Sequence, residues 1–156
     1  MRKDPYHCSE RCRCAFATAF LCMIWMLAAS FFGLPGWAGF TGCTAYFAAP
    51  GKGVKSLPST FACVGSGIAY ALVSMAVSQG GNGPAAGLVM TFLTTFLMCA
   101  GSGNRILGFV PGAFMGSFSM FAAGGDLKAA AAILIGVLLG LFCDMFGKFL
   151  CSMKKE

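Results

Sequence analysis

Charge is scarce in this sequence. Only 10% of its 156 residues are charged, against 58% that are hydrophobic. Soluble domains carry about 25% charged residues, so this chain has too few to coat a water-soluble core. The apolar excess also excludes a disordered chain, which needs low hydrophobicity. Acids are scarcer still: Asp4, Glu10, Asp126, Asp144 and Glu156 are all of them, and His7 is the single histidine. That supply leaves no pair of titratable groups set for general acid–base work. There is no phosphate-binding loop, His-Glu metal pair or Gly-x-Ser-x-Gly elbow. The sequence therefore predicts no enzyme, no catalytic residue and no cofactor. What is left is an integral membrane protein, with the lipid bilayer as its first partner.

What is present follows from that class. At about 20 residues per transmembrane helix, the length holds at most six or seven spans. Glycine, proline and charge clusters break the chain into six apolar stretches, about 15–32, 36–49, 57–77, 86–102, 107–123 and 129–150. All are read as helices, because open sheets leave backbone groups unsatisfied in lipid. Residues 1–14 form a basic tail and 151–156 a short second one, around a single domain at 15–150. The start has the basic region of a secretory signal, but its apolar run is long and others follow, so it reads as an uncleaved first helix. Pro58 and Pro84 stand near the starts of stretches three and four, and Asp126 is placed to cap the sixth.

The second and fifth stretches are short, and each opens with Pro-Gly: Pro35-Gly36 and Pro111-Gly112. Residues 36–49 would rise only about 21 Å as a helix, less than the hydrocarbon layer of about 30 Å. The two also resemble each other. Gly42 to Gly51 can be laid over Gly116 to Gly125 at an offset of 74. Outside that core, residues 18–23 resemble 94–99, Gly33-Leu34-Pro35-Gly36 resembles 108–112, and Gly67 falls on Gly140. Three crossings per copy would invert the second copy. The expectation is a 3+3 inverted repeat, about 15–77 and 86–150, within an all-α membrane domain of six transmembrane helices.

The bases test it. With six crossings and a cytoplasmic N-terminus, Arg2, Lys3, Arg11, Arg13, Lys52, Lys55, Arg105, Lys148, Lys154 and Lys155 lie inside and only Lys128 outside. If the short stretches were re-entrant, Lys52, Lys55 and Arg105 would also move outside. Basic loops favour the cytoplasmic side, so six crossings with both termini cytoplasmic are expected. No continuous basic face with polar surroundings exists, so no nucleic-acid partner is expected.

There are nine cysteines. Cys22, Cys43, Cys63, Cys99 and Cys143 lie in apolar stretches, where cysteine acts as a small hydrophobe. His7, Cys8, Cys12 and Cys14 cluster in the tail without the paired spacing that zinc sites favour. No metal site is predicted.

The run Trp37-Ala38-Gly39-Phe40-Thr41-Gly42-Cys43-Thr44-Ala45-Tyr46-Phe47-Ala48-Ala49-Pro50 is long and specific. With Phe109 to Gly116 and Phe121 to Lys128, it resembles the YcdZ-like proteins, the family called domain of unknown function 1097. The resemblance spans roughly residues 15–150, and the Cys-rich tail looks like an addition. It implies a small polytopic protein of the bacterial inner membrane and carries over no site residues.

Few residues remain to do chemistry. Asp144 is the only acid inside an apolar stretch, and Lys148, one helical turn on, is placed to pair with it. Gly108, Gly112 and Gly116 form a GxxxGxxxG row, and Gly136 and Gly140 form another pair. Ala38, Gly42, Ala45 and Ala49 trace a similar stripe, and such rows let helices approach closely in lipid. Short interrupted helices at matching places in two halves point to a transporter's binding site. Trp37, Phe40, Thr41, Thr44, Phe114, Ser117, Phe118 and Ser119 are the expected lining of a solute path. The predicted function is a channel or facilitator for a small polar, neutral or weakly charged solute, working as a homo-oligomer. The alternative is a non-transporting scaffold that binds partners through glycine-rich interfaces.

Overall fold

The computed structural model describes residues 8–51, 53–80 and 83–153, those at 8–11 and 83–84 by their backbone alone. Arg2, Lys3, His7, Lys52, Lys154 and Lys155 lie outside the described residues. Among those described the chain is entirely helical apart from turns. Its helices are α1 (Cys8–Phe32), α2 (Gly36–Ala48), α3 (Leu57–Gln79), α4 (Gly83–Ala100), α5 (Val110–Ala122) and α6 (Leu127–Ser152). Short 3₁₀ turns at Gly53–Ser56 and Gly101–Gly103 precede α3 and follow α4.

Four of the six, α1, α3, α4 and α6, contain segments long and apolar enough to cross a bilayer. The other two, α2 and α5, have 13 residues each and rise about 20 Å. Local chemistry sets the ends. Gly33 and Gly124 take left-handed φ values of 63°, and the next residue's N–H donates back to the helix: Leu34 to Ala29 O at 2.8 Å and Gly125 to Met120 O at 3.1 Å. Only glycine adopts that turn without a Cβ penalty. Pro58 occupies the first turn of α3, where its missing N–H costs nothing. Asp126 caps α6 by accepting from Lys128 N at 2.9 Å.

Each short helix packs most closely on a helix distant in sequence. The main partner of α2 is α6, and that of α5 is α3. The outer helices follow suit, α1 lying on α6 and α4 on α3. This yields two triads, α1–α2–α6 and α4–α5–α3, which meet through α2 with α5 and α3 with α6. Small residues fill the middle: Ala38, Ala45, Ala71, Ala129 and Ala132 are fully buried, with Val64, Met120, Ile133 and Val137 around them.

Contacts along the helices fix their directions. Gly39 meets Gly136 and Tyr46 meets Gly140, so α2 and α6 run the same way. Cys63 lies beside Gly112 and Gly67 beside Ser117, so α3 and α5 do too. Cys14 meets Gly147 and Phe20 meets Phe146, which makes α1 antiparallel to α6. One end of the bundle therefore gathers Arg13, Lys148, Lys55 and the Arg105 turn. There Arg13 donates to Leu150 O, Tyr46 joins α6 to Gly53, and Ser59 donates to Ile106 O. Asp126 and Lys128 lie at the other end, where Gly125 abuts Met75.

Candidate functional site

Two matched helix crossings dominate the centre. A methyl added to Gly42 would run into the Ile133 carbonyl, and one added to Gly116 into the Val64 carbonyl. The fit is reciprocal, because Gly136 receives the Gly39 carbonyl and Gly67 the Ala113 carbonyl. Without a Cβ on either side, backbone meets backbone, and dispersion contacts replace the hydrophobic drive that lipid does not supply. Ala38 and Ala45 flank the first crossing with no exposed surface. Gly140 leaves room for Tyr46, whose Cβ would be 2.7 Å from an added methyl. A buried aromatic closes the start of each short helix. The Trp25 indole lies over Gly39 and donates to Gly36 O at 2.8 Å, and the Phe109 ring lies over Gly112 at 2.5 Å from an added methyl.

Gly108 is the exception to the expected glycine row. It lies outside α5, which begins at Val110. An added methyl there would meet the carbonyls of Asn104 and Ser102 in the preceding turn. The turn folds back through Asn104 Oδ1, which accepts from Ile106 N at 2.8 Å, so Gly108 serves the approach to α5 and no helix crossing.

The ion pair is present and has a third member. Lys148 Nζ lies 2.6 Å from Asp144 Oδ2, and the Tyr46 hydroxyl donates to the same oxygen at 3.1 Å. Tyr46 accepts in turn from Gly53 N at 3.0 Å. Ser56 Oγ then donates to Gly53 O, and Thr60 Oγ1 to Ser56 O. The chain of bonds ties α6, α2, the connecting turn and α3 together at the basic end. Asp144 keeps only 19% of its side-chain exposure, against 60% for Lys148. A largely buried carboxylate requires partners, and Tyr46, 3% exposed, supplies the sheltered one. Sequence spacing found Lys148 and missed Tyr46. The signal available was that Tyr46 is the single residue of α2 able to offer a phenolic hydroxyl.

The eight expected path residues divide. Trp37, Thr44, Phe114 and Phe118 are exposed on the surface of the chain, and Phe40 and Thr41 are half-buried. Ser117 and Ser119 are buried on α5. Thr41 donates to Ala38 O and Thr44 to Phe40 O, so both hydroxyls are satisfied by their own helix, as is common for such residues in apolar helices. Ser119 Oγ is buried and has no hydrogen-bond partner among the described residues. The outward residues form one stripe on each short helix: Trp37, Thr44 and Phe47 on α2, and Phe114, Phe118 and Phe121 on α5. No group of three or more metal-ligating side chains occurs among the described residues.

These features have close relatives in known proteins. The model of the family described as protein of unknown function DUF1097 matches residues 15–148. The chain belongs to that family. It is 37% identical over 140 residues to the inner membrane protein YcdZ of Escherichia coli strain K12, which covers 88% of this chain and 86% of the relative. It is 35% identical over 144 residues to the Salmonella typhimurium inner membrane protein YcdZ, covering 91% and 90%. No solved structure matches the chain. Relatives named as inner membrane proteins agree with four apolar helices of spanning length. The Trp37–Pro50 run falls within the matched segment, and its residues 37–48 lie in α2, which crosses α6.

Proposed function

We propose that this is a multi-pass protein of the inner membrane, with both termini cytoplasmic, that lets a small polar, neutral or weakly charged solute cross. Its six helices are two inverted three-helix repeats that exchange partners, so that α2 packs on α6 and α5 on α3. Support for the repeat comes from the two matched crossings and from glycine or alanine at equivalent places, Gly39 with Ala113 and Gly42 with Gly116. Support for the orientation comes from the gathering of Arg13, Lys55, Arg105 and Lys148 at one end, since basic residues favour the cytoplasmic face.

One observation carries the transport reading. Two helices shorter than the hydrocarbon layer lie at equivalent positions, and outward residues on them pair at an offset of 74, Thr44 with Phe118 and Phe47 with Phe121, with half-buried Phe40 opposite exposed Phe114. Backbone contact at the glycine crossings fills the centre of the single chain. The path therefore runs along these stripes, where copies of the chain meet in a homo-oligomer. Proteoliposomes carrying the purified protein test this with a panel of amides and short organic acids. Flux of at least one solute, lowered by Thr44→Leu and Phe118→Ala, is the expected result. No flux from folded, oligomeric protein would overturn it.

The filled crossings favour a second reading, a scaffold whose glycine rows only hold the bundle rigid for a partner. It expects proteoliposomes impermeable to the whole panel.

A further inference from the structure

We propose a redox modification site at the basic end of the bundle: Cys14 of α1 and Cys151 of α6 form a reversible disulfide that ties the first helix to the last. Their sulfurs stand 3.8 Å apart across 137 residues of sequence. The approach is built into the fold. Gly147 lets α1 lie directly on α6, and an added methyl there would meet Cys14 Sγ at 3.3 Å and its Cα at 3.4 Å. Cys151 lies four residues beyond Gly147, on the same helix face. The antiparallel run of α1 on α6 is also pinned nearby by Arg13 donating to Leu150 O and by Phe20 against Phe146. Closing the bond brings the sulfurs from 3.8 Å to the S–S length of about 2.0 Å.

Access separates this pair from the buried cysteines, and the 3.8 Å approach of two accessible sulfurs, more than exposure, which Cys12 and Cys99 share, marks it as the site. Cys14 is exposed and Cys151 half-exposed, whereas Cys43, Cys63 and Cys143 are buried. Arg13 and Leu150, the chain neighbours of Cys14 and Cys151, line an open cavity of about 390 Å³ with Cys12, Phe16 and Met153, and a small oxidant such as a peroxide reaches Cys14 through that residue's own exposure. One thiol sulfur attacks a peroxide oxygen, the O–O bond breaks, and a sulfenic acid and water result. The second sulfur then displaces the hydroxyl as water and the S–S bond forms. Two thiols and one peroxide give one disulfide and two waters. A thiol reductant reverses the step by exchange. On a cytoplasmic face such a bond is transient, present under oxidant and lost afterwards.

Mass mapping of the full chain in membranes tests this. The protein is treated with graded hydrogen peroxide, blocked with a thiol alkylator and digested without reductant. A peptide linking Cys14 to Cys151 is expected, returning to two alkylated cysteines after dithiothreitol. Cys14→Ser and Cys151→Ser should each abolish it, with reduced melting midpoints matching the parent to show an intact fold. Recovery of both cysteines alkylated or as sulfinic acids in the parent protein would overturn the proposal. So would a link from Cys151 to Cys8 or Cys12 instead.

Discussion

The two triads share one frame and differ in what they place on it. In α4–α5–α3 most polar groups are satisfied within one helix, as Thr94 bonds to Met90 O, Ser66 to Cys63 O and Ser78 to Ser74 O, and the longer reaches, from Ser59 and Cys63, go to the turn carbonyl of Ile106 and to no helix. In α1–α2–α6 the threonines are satisfied locally too, but three links join one helix to another: Trp25 to Gly36 O, Tyr46 to Asp144 and Cys14 to Cys151. The crossings are alike, Gly42 on Ile133 and Gly116 on Val64. The long-range polar links lie mostly on one side, so shared crossings do not make the triads equal. The frame belongs to both, and the ties between distant helices concentrate in the triad that holds the chain's first and last helices.

The sharpest way to break this comparison is to load both crossings. Gly42→Ala and Gly116→Ala each force a methyl into a backbone carbonyl that no rotamer change relieves. Overpacking costs typically 1–3 kcal/mol, and clash with backbone puts both at about 3 kcal/mol. Detergent melting curves should show large and nearly equal losses. Gly65→Ala, where an added methyl meets nothing within 4 Å, should leave the midpoint unchanged. If Gly42→Ala is tolerated and Gly116→Ala is not, the triads do not share a frame.

The next effect is smaller and one-sided. Tyr46→Phe removes the sheltered donor to Asp144 and the acceptor for Gly53 N. A hydrogen bond to a charged group contributes about 1.5–3 kcal/mol, and the loss should be near the lower figure because Lys148 remains. Ser78→Ala, which removes only a bond within α3, should cost less. Equal losses would mean that the cross-helix network adds nothing to the first triad.

How much of this was legible depends on sequence distance. The helices, the Asp126 cap and the Asp144–Lys148 pair were readable because each is decided within one turn of chain. The partner exchange was not, since nothing local says that α2 leaves α3 for α6. Nor were Tyr46 with Asp144 or Cys14 with Cys151, which lie 98 and 137 residues apart. In the repeat we propose, the register of the long helices also differs from the sequence alignment. Sequence laid Gly67 over Gly140, but the contacts equate Gly67 with Gly136, since each receives a short-helix carbonyl from residues 74 apart, Ala113 and Gly39. The reason is loop length. α2 ends at 48 and α3 starts at 57, whereas α5 ends at 122 and α6 starts at 127. The first connection is thus longer by four residues, and an alignment carried across both without that gap slips by a helical turn. Gly108 was misplaced for a related reason: a GxxxG spacing reads as helix even where Pro111 delays the helix start.

The smallest effect separates the two partners of Asp144. Lys148 is more than half exposed, and the pair is of the i,i+4 kind. Exposed pairs of this type contribute about 0.3–0.5 kcal/mol. Lys148→Met should therefore shift the melting midpoint little, and added salt should shrink even that shift. Tyr46, buried beneath the same carboxylate, should show no such salt dependence. A Lys148→Met loss as large as that of Tyr46→Phe would place the anchor of the network at the surface. The link between α2 and α6 would then be electrostatic, and the difference between the triads would rest on an exposed charge in place of a buried hydroxyl.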